Sequence, residues 1–277
     1  MTLYVAAYDT ESPECVEALP RIVEVHHEYG MPGTFFVTGE VLEGAPERCR
    51  ELLDDPLFEV ASHTYSHVLV ADHPFCGRAA SAEAVRADIL EGKAWVERAF
   101  EQPCRGLRFP CCFPDGLEGK DAALEAVEEA GFDYVSSVAW GKDFSLPAPV
   151  NEPSTYAGEG RPDLWELPAH GWHENLLKNH NGLGPRRLTL WPPESTELIP
   201  SDFIRTPEEE FDINRRVIES ALEGDATFVS LIWHPWSLRR MDPDMRMLEM
   251  TFEFVAEAGL QRTTYAGLWD QLRDGRD

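Results

Sequence analysis

Phe58-Glu59-Val60-Ala61-Ser62-His63-Thr64-Tyr65-Ser66-His67 is an apolar, strand-like run that ends in two histidines four residues apart. Imidazoles at that spacing, on one helical turn or in a tight turn, can reach a single divalent cation. Taken alone, such a pair is more often ordinary surface or core histidine, so its reading depends on the rest of the chain. Near the N-terminus, the strand-like Leu3-Tyr4-Val5-Ala6-Ala7-Tyr8 ends in Asp9-Thr10-Glu11. Two histidines and one carboxylate leave coordination positions open for water and substrate.

Working outward, strand and helix signals alternate. Strands are expected at 3–8, 34–37, 58–61, 107–109, 134–138, 227–233 and 262–264, with helices at 14–29, 46–54, 81–101, 119–130, 207–222, 244–258 and 266–273. Ser12 and Ser81 are candidate N-caps, Pro13 suits a first helical position, and Gly30 and Gly131 suit helix ends. Repeated β-α units with apolar strands imply a parallel sheet covered by helices. Asp9, His63, Arg108 and His234 all fall at strand C-terminal ends, which share one face in a barrel of parallel strands. Residues 142–206 break the pattern. They are rich in Pro, Gly and Trp, hold His170, His173 and His180, and read as an excursion over the barrel mouth within one domain spanning 1–277. His26 and His27 read as surface residues of a helix.

Composition narrows the function classes. The 277 residues include 50 acidic against 24 basic side chains, a net charge of −26, and only four lysines. The acids are spread along the chain. Such a surface stays hydrated when salt screens its self-repulsion, the pattern of a halophile. It also disfavours nucleic acid and anionic membranes as partners. Neither a basic-then-apolar leader nor a membrane-length apolar segment is present, so the expected location is cytoplasmic. The six cysteines fit no zinc-knuckle spacing, and the vicinal Cys111-Cys112 reads as two small buried thiols in a reducing compartment.

The ordered motifs resemble the polysaccharide deacetylase family, the NodB-homology domain of carbohydrate esterase family 4. The resemblance runs from residue 3 to about 270 and is weakest over 142–206. It is carried by Asp9-Thr10-Glu11, by Glu28 to Val37 as a second strand with its preceding turn, and by Phe58 to His67 as the metal motif. Leu107-Arg108-Phe109-Pro110 and Leu231-Ile232-Trp233-His234-Pro235-Trp236 supply the later pieces. The resemblance implies a distorted (β/α)7-type barrel of parallel strands. It also implies a metal-dependent hydrolase that removes an N-acetyl group from an amino-sugar glycan. The cofactor expected is one divalent cation, zinc first, with cobalt, manganese or nickel as alternatives.

The same resemblance assigns roles: Glu11, His63 and His67 as metal ligands, Asp9 as base, Arg108 as its partner and His234 as acid. Phe109, Pro110, Trp140 and Trp236 are the expected substrate contacts. Two departures stand out. Asp9 and Glu11 are separated by one residue where the family has adjacent aspartates, so the reverse assignment of base and ligand stays open. Cys111-Cys112-Phe113 follows Pro110, where the family continues into tyrosine and glycine. The fourth motif is blurred, with Asp133, Trp140 and Asp143 as candidates and Asp133 or Asp143 as the carboxylate expected beside His234. Two other readings fit the scaffold: a hydrolase of another non-peptide C–N bond, as in allantoinases, and a non-catalytic glycan-binding protein.

Overall fold

The computed structural model describes residues 2–180, 189–190, 204 and 206–275. In chain order the elements begin with β1 (Leu3–Thr10), α1 (Pro13–Tyr29), β2 (Gly33–Val37), α2 (Gly39–Gly44), α3 (Pro46–Leu53) and β3 (Phe58–Ser62). Next come α4 (Ala82–Phe100), β4 (Gly106–Phe113), α5 (Asp121–Ala130), β5 (Tyr134–Val138), β6 (Ser145–Leu146), β7 (Ser154–Tyr156) and β8 (Arg161–Glu166). Then follow β9 (His170–His173), α6 (Glu174–Leu177), β10 (Thr189–Leu190), α7 (Pro207–Glu223), β11 (Phe228–Trp233) and α8 (Pro235–Met241). The chain closes with α9 (Arg246–Glu257), β12 (Gln261–Arg262) and α10 (Tyr265–Asp274).

The main sheet runs β7-β8-β5-β4-β3-β2-β1-β11-β9, and every pairing from β8 to β9 is parallel. β8 and β9 sit at opposite ends of that order yet are joined by only Leu167-Pro168-Ala169. Leu167 N–H donates to the Val135 carbonyl and Ala169 N–H to the Val138 carbonyl, each at 2.8 Å, so the link follows β5 before β9 meets β11. One extended segment thus spans both sides of a seven-fold barrel without a continuous ladder closing it.

Period-two alternation divides the core. On β1, Tyr4, Ala6 and Tyr8 pack into the helix-facing cluster, while Leu3, Val5 and Ala7 belong to a second cluster with Phe36, Ala61, Tyr134 and Phe228. Tyr265 and Leu268 of α10 join this second cluster, so the last helix packs against the interior. Ser81 caps α4 by accepting the Ala84 N–H, and Gly30 ends α1 in the left-handed region at φ 55°.

Several expectations need correction. Residues 142–180 are not solely an excursion over the mouth: β7, β8 and β9 lie there and complete the sheet. These short strands, broken by Pro and Gly, carry too little periodicity to be read locally. His26 is fully buried, although His27 is exposed. The His26 Nδ1–H donates to the Met31 carbonyl at 2.6 Å, and Nε2 accepts from Tyr8 at 2.7 Å. It continues the apolar stripe of Leu19, Ile22 and Val25 on α1.

Candidate active site

The alternation that sends Leu3, Val5 and Ala7 inward continues to Asp9 at the C-terminal end of β1. Glu11, two residues further, reaches the same place. A cavity of about 120 Å³ opens there, lined among the described residues by Asp9, Glu11, His67, Phe75, Cys76, Cys111, Cys112, Trp140, His173, Asn175, Leu176 and His234.

Glu11, His63 and His67 each present a ligand atom, and these atoms lie within 4.8 Å of one another. His67 Nε2 is 3.0 Å from Glu11 Oε2, and Trp236 Nε1–H donates to Glu11 Oε1 at 2.9 Å. Burial alone would raise the Glu11 carboxyl; His234, His67 and His63 outweigh it and hold the group well below the usual carboxylate range. His63 is 1 % exposed, and its Nδ1–H donates to the Arg108 carbonyl at 2.9 Å. That bond fixes the tautomer and leaves the Nε2 lone pair free, the arrangement a metal-bound histidine needs. Burial also lowers the His63 pKa to about 4, which keeps the imidazole unprotonated. The donor set therefore fits a divalent cation.

Asp9 has different neighbours. Its Oδ1 accepts from Arg108 Nη1 at 2.9 Å, while Oδ2 stands 4.0 Å from His63 Nε2. Burial raises its pKa, but Arg108, His63 and His234 together outweigh that and lower it. Arg108 is fully buried, donates also to Ser136 Oγ at 3.2 Å and Tyr265 OH at 2.8 Å, and lies over the Phe36 ring at 4.2 Å. With its fork held on three sides, Arg108 can act on Asp9 only in one geometry.

His234 follows β11 and precedes α8. Glu174 Oε1 accepts both its backbone N–H, at 2.7 Å, and its Nδ1, at 3.2 Å. Burial would lower the His234 pKa; Glu174, then Glu11 and Asp9, reverse this and raise it to about 9. Glu174 itself is buried, and its neighbour Lys178 pairs with Glu210 at 3.1 Å. Neither Asp133 nor Asp143 is the partner of His234. Asp133 pairs with Arg105 at 2.7 Å beside the N-terminal ends of β4 and β5, the opposite face. Asp143 is an exposed residue of a short 3₁₀ turn. Glu174 escaped the sequence reading because it lies in the stretch whose strands were not legible.

The expected substrate contacts fall into two pairs. Phe109 is fully buried in the helix-facing core, and neither it nor Pro110 lines the cavity; Cys111 and Cys112 do. Trp140 does line it but is 2 % exposed, stacked on Phe75 at 5.2 Å and on His173 at 4.2 Å. Trp236 is half-buried, and Arg240 covers its ring at 4.7 Å. Cys111 is not a free buried thiol: it is half-buried and forms a disulfide with Cys76 across a sequence separation of 35. Only Cys112 of the vicinal pair matches the buried-thiol reading.

With this geometry in place, a known family model matches just under half of the chain. Residues 5–135 match the polysaccharide deacetylase family model. That segment holds Asp9, Glu11, His63, His67 and Arg108. The fold itself extends over nearly the whole chain. A putative polysaccharide deacetylase from Mycobacterium smegmatis is 19 % identical with a TM-score of 0.65, over 99 % of this chain and 92 % of that one. The Puue allantoinase is 12 % identical with a TM-score of 0.67, over 99 % and 90 %. A family 4 carbohydrate esterase pseudoenzyme from Bacillus anthracis is 13 % identical with a TM-score of 0.54, over 98 % and 66 %. At these identities the likeness is one of fold.

Proposed function

We propose that this chain is a polysaccharide deacetylase-type hydrolase that removes an acetyl group from the nitrogen of an amino-sugar glycan. The observation that carries the reading is the meeting of Asp9, Glu11, His67 and His234 around one cavity at the strand C-terminal ends, with the buried His63 beside Glu11 and His67. Glu11, His63 and His67 would hold a divalent cation, zinc first. When bound, it supplies Lewis acidity toward water and the acyl oxygen.

Asp9 takes the proton from the attacking water. Arg108 keeps Asp9 ionised and aims Oδ2 toward the His63 side of the cavity. His234, held protonated by Glu174, donates to the nitrogen as the C–N bond breaks. Trp236 holds Glu11 in place, and Trp140 shapes the wall through its packing on Phe75 and His173. A pure glycan-binding protein has no use for a base, an acid and an open metal set together. The acidic, lysine-poor surface further suggests adaptation to high salt.

The test is acetate release from N-acetylated sugar oligomers by the zinc-loaded protein, beside an allantoin assay. Acetate release that disappears in Asp9→Asn supports the reading. Turnover of allantoin alone replaces it with the ureide reading, and binding of oligomers without hydrolysis replaces it with the non-catalytic one.

A further inference from the structure

We propose that Cys76 and Cys111 form a reversible thiol–disulfide site in the wall of the cavity, with His73 as the group that stabilises the thiolate when the bond opens. The disulfide joins the loop after β3, which begins with the histidine pair, to the end of β4. Both cysteines line the cavity beside Glu11 and His67. Cys76 is exposed and Cys111 half-buried, so a reagent can reach the bond. The other four cysteines are buried, and burial raises their thiols, Cys15 and Cys49 to about 11 and Cys104 to about 12. Those four stay protonated and inert.

His73 supplies the second observation. It is 4 % exposed, and its Nδ1 accepts the backbone N–H groups of Phe75 and Cys76, each at 3.2 Å. The neutral ring therefore carries its proton on Nε2, which is buried and has no hydrogen-bond partner among the described residues. A buried donor without an acceptor is costly. One His73 ring nitrogen and both sulfurs lie within 4.8 Å of one another. Once the bond opens, a freed thiolate that turns to Nε2–H gives it the acceptor it lacks, and that stabilises the thiolate over the thiol.

The step balances with an external dithiol. One thiolate of the dithiol attacks Cys76 Sγ, the Cys76–Cys111 bond breaks, and Cys111 leaves as a thiolate. The second thiol of the reagent resolves the mixed disulfide, so the reagent is oxidised by two electrons while Cys76 and Cys111 are reduced. Opening would release only part of the loop. Residues 64–66 are held separately: Gly39 and Glu40 N–H groups donate to the Thr64 and Tyr65 carbonyls at 3.0 Å, and Asp88 accepts from Tyr65 N at 2.9 Å and Ser66 N at 3.0 Å. The bonds His73–Gly77 and Ala80–Leu69 lie within the loop and do not tie it to β4. The loop keeps ring contacts, Phe75 on Trp140 and His73 on Phe113, but loses its covalent tie, so reduction should loosen residues 68–80 and open the cavity wall while the Glu11, His63 and His67 set stays together.

Peptide mapping after mild oxidation, hydrogen exchange, and iodoacetamide alkylation against pH test this without any assay of turnover. We expect a Cys76–Cys111 cross-link, faster exchange over 68–80 in dithiothreitol, and unchanged exchange over 63–66. In the reduced protein, Cys76 or Cys111 should alkylate with a midpoint below the ~8.5 of free cysteine. His73→Phe should raise that midpoint and His73→Gln, which keeps an N–H donor, should restore part of the difference. No cross-link, exchange that ignores the reductant, or a midpoint indifferent to His73→Phe overturns the proposal. So does a second zinc equivalent bound on reduction and lost in His73→Phe, which would make the cluster a metal site. A last arm rests on the deacetylase reading: KM should change on reduction more than kcat. If no turnover is found but the thiol results hold, the activity reading fails and the thiol site stands.

Discussion

The Nδ1–H of His63 is committed to the Arg108 carbonyl at 2.9 Å, which leaves one lone pair, on Nε2, for a cation. His63→Ala should therefore lose the metal, and Glu11→Gln should weaken it strongly, as elemental analysis and zinc-dependent thermal shift will report. Asp9→Asn should keep the metal while activity falls about a hundredfold or more, the scale of losing a positioned base. The reverse pattern of metal loss would exchange the roles of Asp9 and Glu11. His234 makes a pH prediction. Its raised pKa means the donating form is present at low pH and disappears as pH climbs through about 9. A cation held nearby draws that value down, so the alkaline limb of the rate profile should fall at or below about 9. Glu174→Gln removes the main stabiliser of the imidazolium and should move the limb to lower pH; Asp133→Asn, on the opposite face, should leave it in place. A limb that stays put in Glu174→Gln would remove His234 from the acid role.

At the scale of elements, the loop bearing the histidine pair is shaped by a glycine in a neighbouring helix. A Cβ on Gly92 of α4 would lie 2.5 Å from the backbone carbon of Thr64. By helix propensity alone, Gly92→Ala should gain about 1 kcal/mol. The clash is with backbone and cannot be relieved by a rotamer, so overpacking of about 1–3 kcal/mol should win. The expected result is a lower melting temperature and weaker zinc binding, measured by calorimetry. Gly39 of α2 packs on the next residue, where a Cβ would meet the Tyr65 ring at 2.3 Å and its Cα at 3.1 Å. The helices thus set the position of Thr64 and Tyr65, and through them the approach of His67, which adopts φ 62°.

For the whole molecule the governing quantity is charge. A net −26 with four lysines gives self-repulsion that local ion pairs such as Arg86–Glu129 and Arg216–Asp212 offset only in part. The Debye length shortens from about 10 Å at about 0.1 M salt to about 3 Å at about 1 M. The melting temperature should rise over that range of potassium chloride. A melt that does not move would show that packing alone carries the stability and would remove the high-salt reading. No described helix is long and apolar enough to cross a membrane.

By itself the sequence determined what depends on local order: the alternation of strands and helices, the caps at Ser81 and Gly30, and the placing of Asp9, Glu11, His63 and His234 at strand ends; Arg108, expected at such an end, lies inside β4 instead. Parallel strands then bring those ends to one face, because period-two alternation and right-handed crossovers leave little choice. Only the tertiary structure decided contacts between residues far apart in the chain. Glu174, not Asp133 or Asp143, meets His234 because β9 pairs with β11. Phe109 turns to the core because it sits one residue from the inward Arg108, and Cys111 meets Cys76 because the loop after β3 folds onto the end of β4. His26 is buried because Tyr8 and Met31 satisfy both its nitrogens. A partner in space leaves no mark at a fixed spacing in sequence.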